Sequence, residues 1–190
     1  MRKVVVSVYT TLDGVMEAPE KWSGQFWNEE HGKYARDLLF ASDALLMGRE
    51  IYEGFAASWP LRTAADDGLG EEGFVDRINS LPKFVASTTL KEPLEWNNAH
   101  LIKEDVAEAV FKLKHEGGQD MLMYGAGHLA HTLMQHRLID ELRVWVHPIV
   151  WGNGGRLFRN ASDVPVLRLV DTRTFRSGVV VLSYQPDRKA

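Results

Sequence analysis

Three short stretches of the chain carry residue types suited to holding a phosphate: Met47-Gly48-Arg49, Ser87-Thr88-Thr89 and Gly125-Ala126-Gly127-His128. Each follows an apolar run that reads as a strand. Glycine lets a phosphate approach the backbone with no Cβ in the way. A helix that starts just beyond offers free N–H groups and a partial positive charge to an anion. Arg49 can meet a phosphate through two parallel hydrogen bonds. The hydroxyls of Ser87, Thr88 and Thr89 can donate to phosphate or ribose oxygens. Taken singly, each stretch has a plainer reading as a turn, a cap or a solvated surface residue. Placed together at strand ends, they describe a dinucleotide cleft.

Other residues widen the choice. Trp22 and Trp27 flank a glycine-containing loop, where they would either wall a pocket for a flat substrate by stacking or serve as core or dimer-interface residues. Asp13 lies in the loop after the first strand, and Glu29 and Glu30 begin a helix. The plainer reading of the helix-start pair is as partners of the helix dipole. His128, His131 and His136 share one helical segment with no carboxylate beside them, which favours surface or capping roles over a metal site. No Gly-x-Gly-x-x-Gly follows the first strand and no phosphate loop of the Walker type occurs. The absence of cysteine excludes disulfides, thiolate metal sites and cysteine nucleophiles.

The elements that must position these residues follow from periodicity. Val4 to Tyr9 reads as a strand, and Thr11 to Gly24 as a loop broken by Asp13-Gly14 and Pro19. A helix is expected from Glu29 to Phe40, with Tyr34, Leu38 and Phe40 as its apolar positions. Asp43 to Met47 suits a buried strand, with a helix from Arg49 to Ala57 after it. Arg62 to Gly73 reads as an exposed loop leading to a short helix over Gly73 to Asn79. Strands are expected at Lys83 to Ser87, Ala99 to Ile102 and Asp120 to Tyr124. Helices are expected at Val106 to His115, with Val106, Ala109, Val110 and Leu113 on one face, and at His128 to His136. In Glu141 to His147, Leu142, Val144 and Val146 alternate with Arg143, Trp145 and His147, as in a strand with two distinct faces. Val166 to Thr174 and Val179 to Tyr184 flank Arg176-Ser177-Gly178, a hairpin signal. The fold class expected is α/β: a three-layer α/β/α sandwich with a mostly parallel mixed sheet and antiparallel C-terminal strands.

The 190 residues fit one domain, 1–190, large enough to bury a core unaided. The formal net charge is −4 with no Lys/Arg-rich run, which argues against a nucleic acid or an anionic membrane as partner. The opening apolar run is too short for an export signal and no stretch reaches bilayer length, so a cytoplasmic protein is expected.

The order of motifs resembles the dihydrofolate-reductase-like superfamily. Thr11-Leu12-Asp13-Gly14-Val15 after the first strand resembles its Ser/Thr-Leu-Asp-Gly loop, and Met47-Gly48-Arg49-Glu50-Ile51-Tyr52 its Met-Gly-Arg-x-Thr-Tyr segment. Phe84 to Leu90 resembles its strand-Ser-x-Thr-Leu segment, and Tyr124 to Leu129 its late glycine motif. Leu138 to Leu142, His147 to Gly154 and Leu157-Phe158 close the pattern. The best match is the branch related to the C-terminal reductase domain of the bacterial riboflavin-biosynthesis deaminase/reductase. The resemblance implies NADPH, or NADH in its place, wrapped by Gly48, Arg49, Ser87, Thr89, Gly125, Ala126, Gly127 and Leu129, with Thr88 and His128 inside the same motifs. It places the loop from Asp13 to Met16 over the nicotinamide and the substrate among Asp13, Met16, Trp22 and Trp27. It points to Asp13 or Glu30 as the catalytic acid, and to a homodimer in which Trp145, His147 and Trp151 would serve an interface or else pack under a helix.

Two positions depart from the pattern. Ile51 stands where the family has Thr, which removes a phosphate hydroxyl. Thr88 stands where Arg or Lys is usual, which weakens the charge near an adenosine 2′-phosphate. The zinc signature of that enzyme's deaminase half needs cysteine, and this sequence has none, so the complete bifunctional enzyme is not expected. The expected function is hydride transfer from NAD(P)H to a small planar heterocycle such as a pterin or pyrimidine. A non-catalytic ligand-binding relative and an aminopyrimidine ribose-phosphate reductase of riboflavin biosynthesis are the alternatives.

Overall fold

The computed structural model describes residues 1–157 and 166–187. Phe158, the last residue of the matched pattern, lies outside them. Eight strands form one sheet: β1 (Val4–Thr11), β2 (Ser42–Gly48), β3 (Lys83–Ala86), β4 (Ala99–Ile102), β5 (Asp120–Tyr124), β6 (Glu141–His147), β7 (Leu167–Thr174) and β8 (Val180–Pro186). Five α-helices accompany it: α1 (Glu29–Phe40), α2 (Arg49–Ala56), α3 (Phe74–Ser80), α4 (Val106–His115) and α5 (His128–Gln135). The strand order is β4-β3-β2-β5-β1-β6-β8-β7, with the first six parallel and β8 antiparallel to both its neighbours. This is the expected three-layer α/β sandwich with an antiparallel C-terminal hairpin.

Strict alternation along β1 builds both halves of the core. Val4, Val6 and Val8 face α4 and α5 together with Leu46, Met123, Leu142 and Val144. Val5 and Tyr9 face α1, α2 and α3 with Leu45, Met47, Leu122 and Trp145. A two-residue side-chain period serves two apolar layers only when both faces are covered by helices, as parallel sheets require.

Two helices each place one residue against expectation. On α1 the buried residues are His31, Gly32, Ala35, Leu38 and Leu39. Phe40 points outward, where the Arg36 guanidinium lies 4.3 Å from its ring centre. The charged face of α1 thus supplies cover for an aromatic that periodicity alone assigned inward. On α4 the expected Val110 is buried and Val106 and Leu113 pack against the core, with Ala107 and, unexpectedly, Lys114 buried beside them. Lys114 buries its stem there because its ammonium donates to Leu138 O at 2.9 Å and pairs with Asp140.

The direction of each crossover places the cleft. α1 and α2 follow β1 and β2 onto one face of the sheet, whereas α5 follows β5 onto the other. β5 lies between β2 and β1. The chain therefore departs to opposite faces from adjacent strand ends, which opens a crevice at the C-terminal edge of the sheet. Among the described residues no helix is long and apolar enough to cross a membrane.

Candidate functional site

Gly48 and the Gly125-Ala126-Gly127 turn sit at the ends of β2 and β5, on the two sides of this crevice. Each leads straight into a helix, and neither Gly48 nor Gly127 gives that helix a side-chain cap. The other helices that start at this edge are closed. Asn28 Oδ1 accepts from His31 N at 3.0 Å on α1, and Asp105 Oδ1 accepts from Ala107 N and Glu108 N at 2.9 and 3.1 Å on α4. The free N–H groups of α2 and α5 thus remain as donors at the crevice. A Cβ built on Gly127 would meet nothing within 4 Å, so the space before α5 is open.

Packing brings the pieces together. A Cβ on Gly48 would lie 3.7 Å from Leu129 Cβ. Gly125 adopts φ +73°, and Ile51 Cδ1 lies 3.1 Å from where its Cβ would stand. Ile51, in place of the usual threonine, therefore fills the space under the glycine turn. Arg49 Nη1 donates to Thr89 Oγ1 at 3.2 Å, and its Nε is 3.8 Å from Glu53. Ser87 Oγ accepts from Thr89 N and Leu90 N at 3.2 and 3.1 Å, closing the turn after β3, while Thr88 and His128 are exposed. Two uncapped helix ends, an arginine and a hydroxyl turn fit the pyrophosphate and ribose of a dinucleotide.

Asp13 and Glu30 both have partners. The Asp13 carboxylate accepts from Thr11 Oγ1 at 2.7 Å, Trp151 N at 3.1 Å and Gly152 N at 2.9 Å. These bonds, the Thr11 hydroxyl first, hold its pKa down to about 2. With Met16 N donating to Gly155 O and a bridge between Val15 and Arg156, the loop after β1 is fastened to the loop after β6. Glu30 Oε2 accepts from Arg176 N at 2.8 Å, tying α1 to the turn between β7 and β8.

A second group, which periodicity did not single out, lies on the α1 side of the crevice. Tyr9 Oη and His31 Nε2 are 2.9 Å apart. The His31 ring stacks on Trp145 at 4.6 Å and lies 4.1 Å from the Trp27 ring, and His147 packs against Trp22 at 5.1 Å. Trp22, Trp145 and His147 are all buried, so the late-strand pair packs under α1 within the chain. Trp151 lies beyond β6 and is 40% exposed. Burial, and then His147, pushes the pKa of His31 down to about 3, and burial lowers that of His147. Tyr124 ends β5 directly before the glycine turn, packs on Phe55 of α2 at 5.5 Å, and has a buried hydroxyl with no partner among the described residues. The signal available was register: Tyr9 pairs with Trp145 and Thr11 with His147, so neighbouring strands stack these rings on one face.

This crevice, with its sheet order and divergent helices, is the architecture of the dihydrofolate-reductase-like fold. A dihydrofolate reductase from Enterococcus faecalis solved with NADP(H) superposes with a TM-score of 0.59 at 12% identity, over 97% of this chain and 96% of that one. A Shewanella sp. PV-4 protein named for riboflavin biosynthesis superposes with a TM-score of 0.74 at 22% identity, over 98% of this chain and 99% of its own. Residues 2–181 match the model of the RibD C-terminal domain, and the chain belongs to that family. It is similar to the uncharacterized protein YyaP of Bacillus subtilis (strain 168), with 32% identity over 186 residues, 96% of this chain and 94% of the relative.

Proposed function

We propose that this protein is an NAD(P)H-dependent reductase that transfers hydride to a small planar heterocycle. The observation that carries the reading is the pair of glycine-led, uncapped helix N-termini on opposite walls of one crevice, beside the Arg49–Thr89 bond. α2 and α5 would present N–H groups to the pyrophosphate, Arg49 would reach a phosphate, and Ser87 and Thr89 would meet ribose or phosphate oxygens. A bound dihydronicotinamide supplies the two-electron hydride chemistry. The protein's part is to seat the substrate on the α1 side of β5 and to exclude water with the fastened loops at Asp13. That an enterococcal dihydrofolate reductase of the same fold was solved with NADP(H) supports the cofactor class.

The test is titration with NADPH, and separately NADH, read by tryptophan quenching and energy transfer to the dihydronicotinamide. Saturable binding is expected, weakened at least about tenfold by Arg49→Ala, as loss of a charged hydrogen bond requires. A subsequent screen of pterins, flavins and pyrimidines would identify the acceptor. No binding of either nucleotide at millimolar concentration overturns the reading.

A further inference from the structure

A hydride acceptor of the C=N type needs a proton as well as a hydride, and neither expected acid is free to give one. Asp13 is spent on three donors and Glu30 on the Arg176 backbone. A third carboxyl group lies beside α1, on the same side of the crevice as Trp27. Glu71, on the loop between α2 and α3, is half-buried, and one of its oxygens accepts from Gly68 N at 2.9 Å. Its other oxygen has no hydrogen-bond partner among the described residues.

The loop that carries it is pinned to the start of α1. The Leu69 carbonyl occupies the space a Cβ on Gly32 would need, and Gly70, at φ +78°, lies against Glu29 O and Lys33 N. Trp27 Nε1 stands 3.7 Å from the Cβ position of Gly68. Asp67 holds the far end of the loop by accepting from Gly73 N and Val75 N at 2.6 and 2.9 Å. This docking sets Glu71 against Gly32, with its Cγ 3.1 Å from where a Cβ there would stand; the neighbouring His31 meets Tyr9 of β1 at 2.9 Å, and Tyr124 of β5 pairs with Ser7 of β1. The Glu71 charge raises the pKa of both Tyr9 and Tyr124, after the larger effect of burial. Burial in turn raises that of Glu71 itself, with Asp67 adding to the shift and Arg62 opposing it.

We infer that Glu71 is the proton donor of the reductase, and that the unpartnered Tyr124 hydroxyl orients the same substrate atom. The inference rests on the reductase reading. Tyr124 immediately precedes the Gly125–Gly127 turn, its ring packs on α2, and its buried hydroxyl lacks a partner among the described residues until a ligand atom meets it. In the step itself, the C=N carbon of the substrate gains the C–H bond and the π pair settles on nitrogen. The Glu71 O–H bond breaks as the new N–H bond forms. The dinucleotide leaves oxidised, and the Glu71 carboxylate regains its proton from water at its exposed side. Asp67 and Arg62 on its own loop act on Glu71, and Tyr9 on β1 and Tyr124 on β5 feel its charge in turn.

The test joins two measurements on the whole chain. In carboxyl 13C NMR, the Glu71 resonance, assigned by its loss in Glu71→Gln, should titrate above the usual glutamate value of about 4.3. With the acceptor found by the heterocycle screen, Glu71→Gln should lower kcat by about 10²–10⁴-fold while leaving NADPH affinity unchanged. Wild-type kcat should fall as pH rises through the NMR midpoint. Tyr124→Phe keeps the ring on Phe55 and should lower kcat about tenfold with the same NADPH affinity. An ordinary Glu71 midpoint overturns the inference whatever the screen returns, as does full turnover by Glu71→Gln. If NADPH binds and turnover survives the substitution, only this inference falls. If wild type binds no nicotinamide nucleotide, the reductase reading falls and takes it along.

Discussion

Gly32 and Gly54 both sit inside helices, α1 and α2, and their surroundings set opposite signs for the same substitution. A methyl group on Gly54 would meet nothing within 4 Å, so Gly54→Ala removes backbone entropy from the unfolded chain and should stabilise the protein by about 0.5–1 kcal/mol. A methyl group on Gly32 would fall on the Leu69 carbonyl oxygen, and a backbone atom has no rotamer by which to yield. Gly32→Ala should therefore destabilise by about 1–3 kcal/mol in spite of its helix propensity. Urea unfolding of the two variants beside wild type checks both signs, and a stabilised Gly32→Ala would show that the Glu71 loop does not rest on α1. The residues of the proposed nucleotide crevice were legible as types: Gly48, Arg49, Ser87, Thr89 and Gly127 stand where strand ends and loop signals put them. Glu71 was not. It lies in a stretch rich in Ala, Asp and Gly that reads as solvent-exposed loop, and only the close approach of Leu69 to Gly32, a contact between distant parts of the chain, turns it inward.

At the scale of elements, α5 has a Gly N-cap where α1 and α4 have Asn and Asp. Aspartate is at least as good an N-cap as glycine, because its carboxylate accepts from the first free N–H groups of the helix. Gly127→Asp meets open space and needs no positive φ, so it should leave stability unchanged or raise it by a few tenths of a kcal/mol. The same carboxylate would occupy the donors offered to a phosphate and repel its charge, so nucleotide binding should be lost. A Gly127→Asp protein with unchanged melting temperature and undiminished NADPH affinity would move the pyrophosphate away from α5. Element boundaries were readable because β-branched runs, glycine stops and the alternation in Glu141–His147 each have a local cause. The helix faces were less so. Phe40 and Lys114 are held on the unexpected side by Arg36 and by Leu138 O with Asp140, partners brought in by the tertiary fold.

For the molecule as a whole, the α1-side core contains two neutral histidines whose burial makes stability depend on pH. His31 and His147 are fully buried, with ring centres 5.9 Å apart. Ring nitrogens His31 Nδ1 and His147 Nε2 have no partner among the described residues, so an added proton would find no acceptor. In the unfolded chain a histidine titrates near 6.5. Above that pH neither state takes up the proton and the histidines leave stability unaffected by pH. As pH falls below about 6.5, the unfolded state binds a proton that the folded state refuses, down to about 3 for His31. Stability is then lost at about 1.4 kcal/mol per pH unit on account of His31, and His147, whose pKa is also lowered by burial, adds in the same direction. Between about pH 6.5 and 5 few carboxylates titrate, so the slope in that window belongs to the histidines. Urea midpoints at pH 7.5, 6.0 and 5.0 should fall steadily over the acid half of this range. Replacing His147 by Gln should flatten the slope, since one of the two buried imidazoles no longer resists its proton. A midpoint independent of pH from 7.5 to 5.0 would mean that the folded core accepts the protons, and that the cluster around Tyr9, His31 and Trp145 opens to solvent.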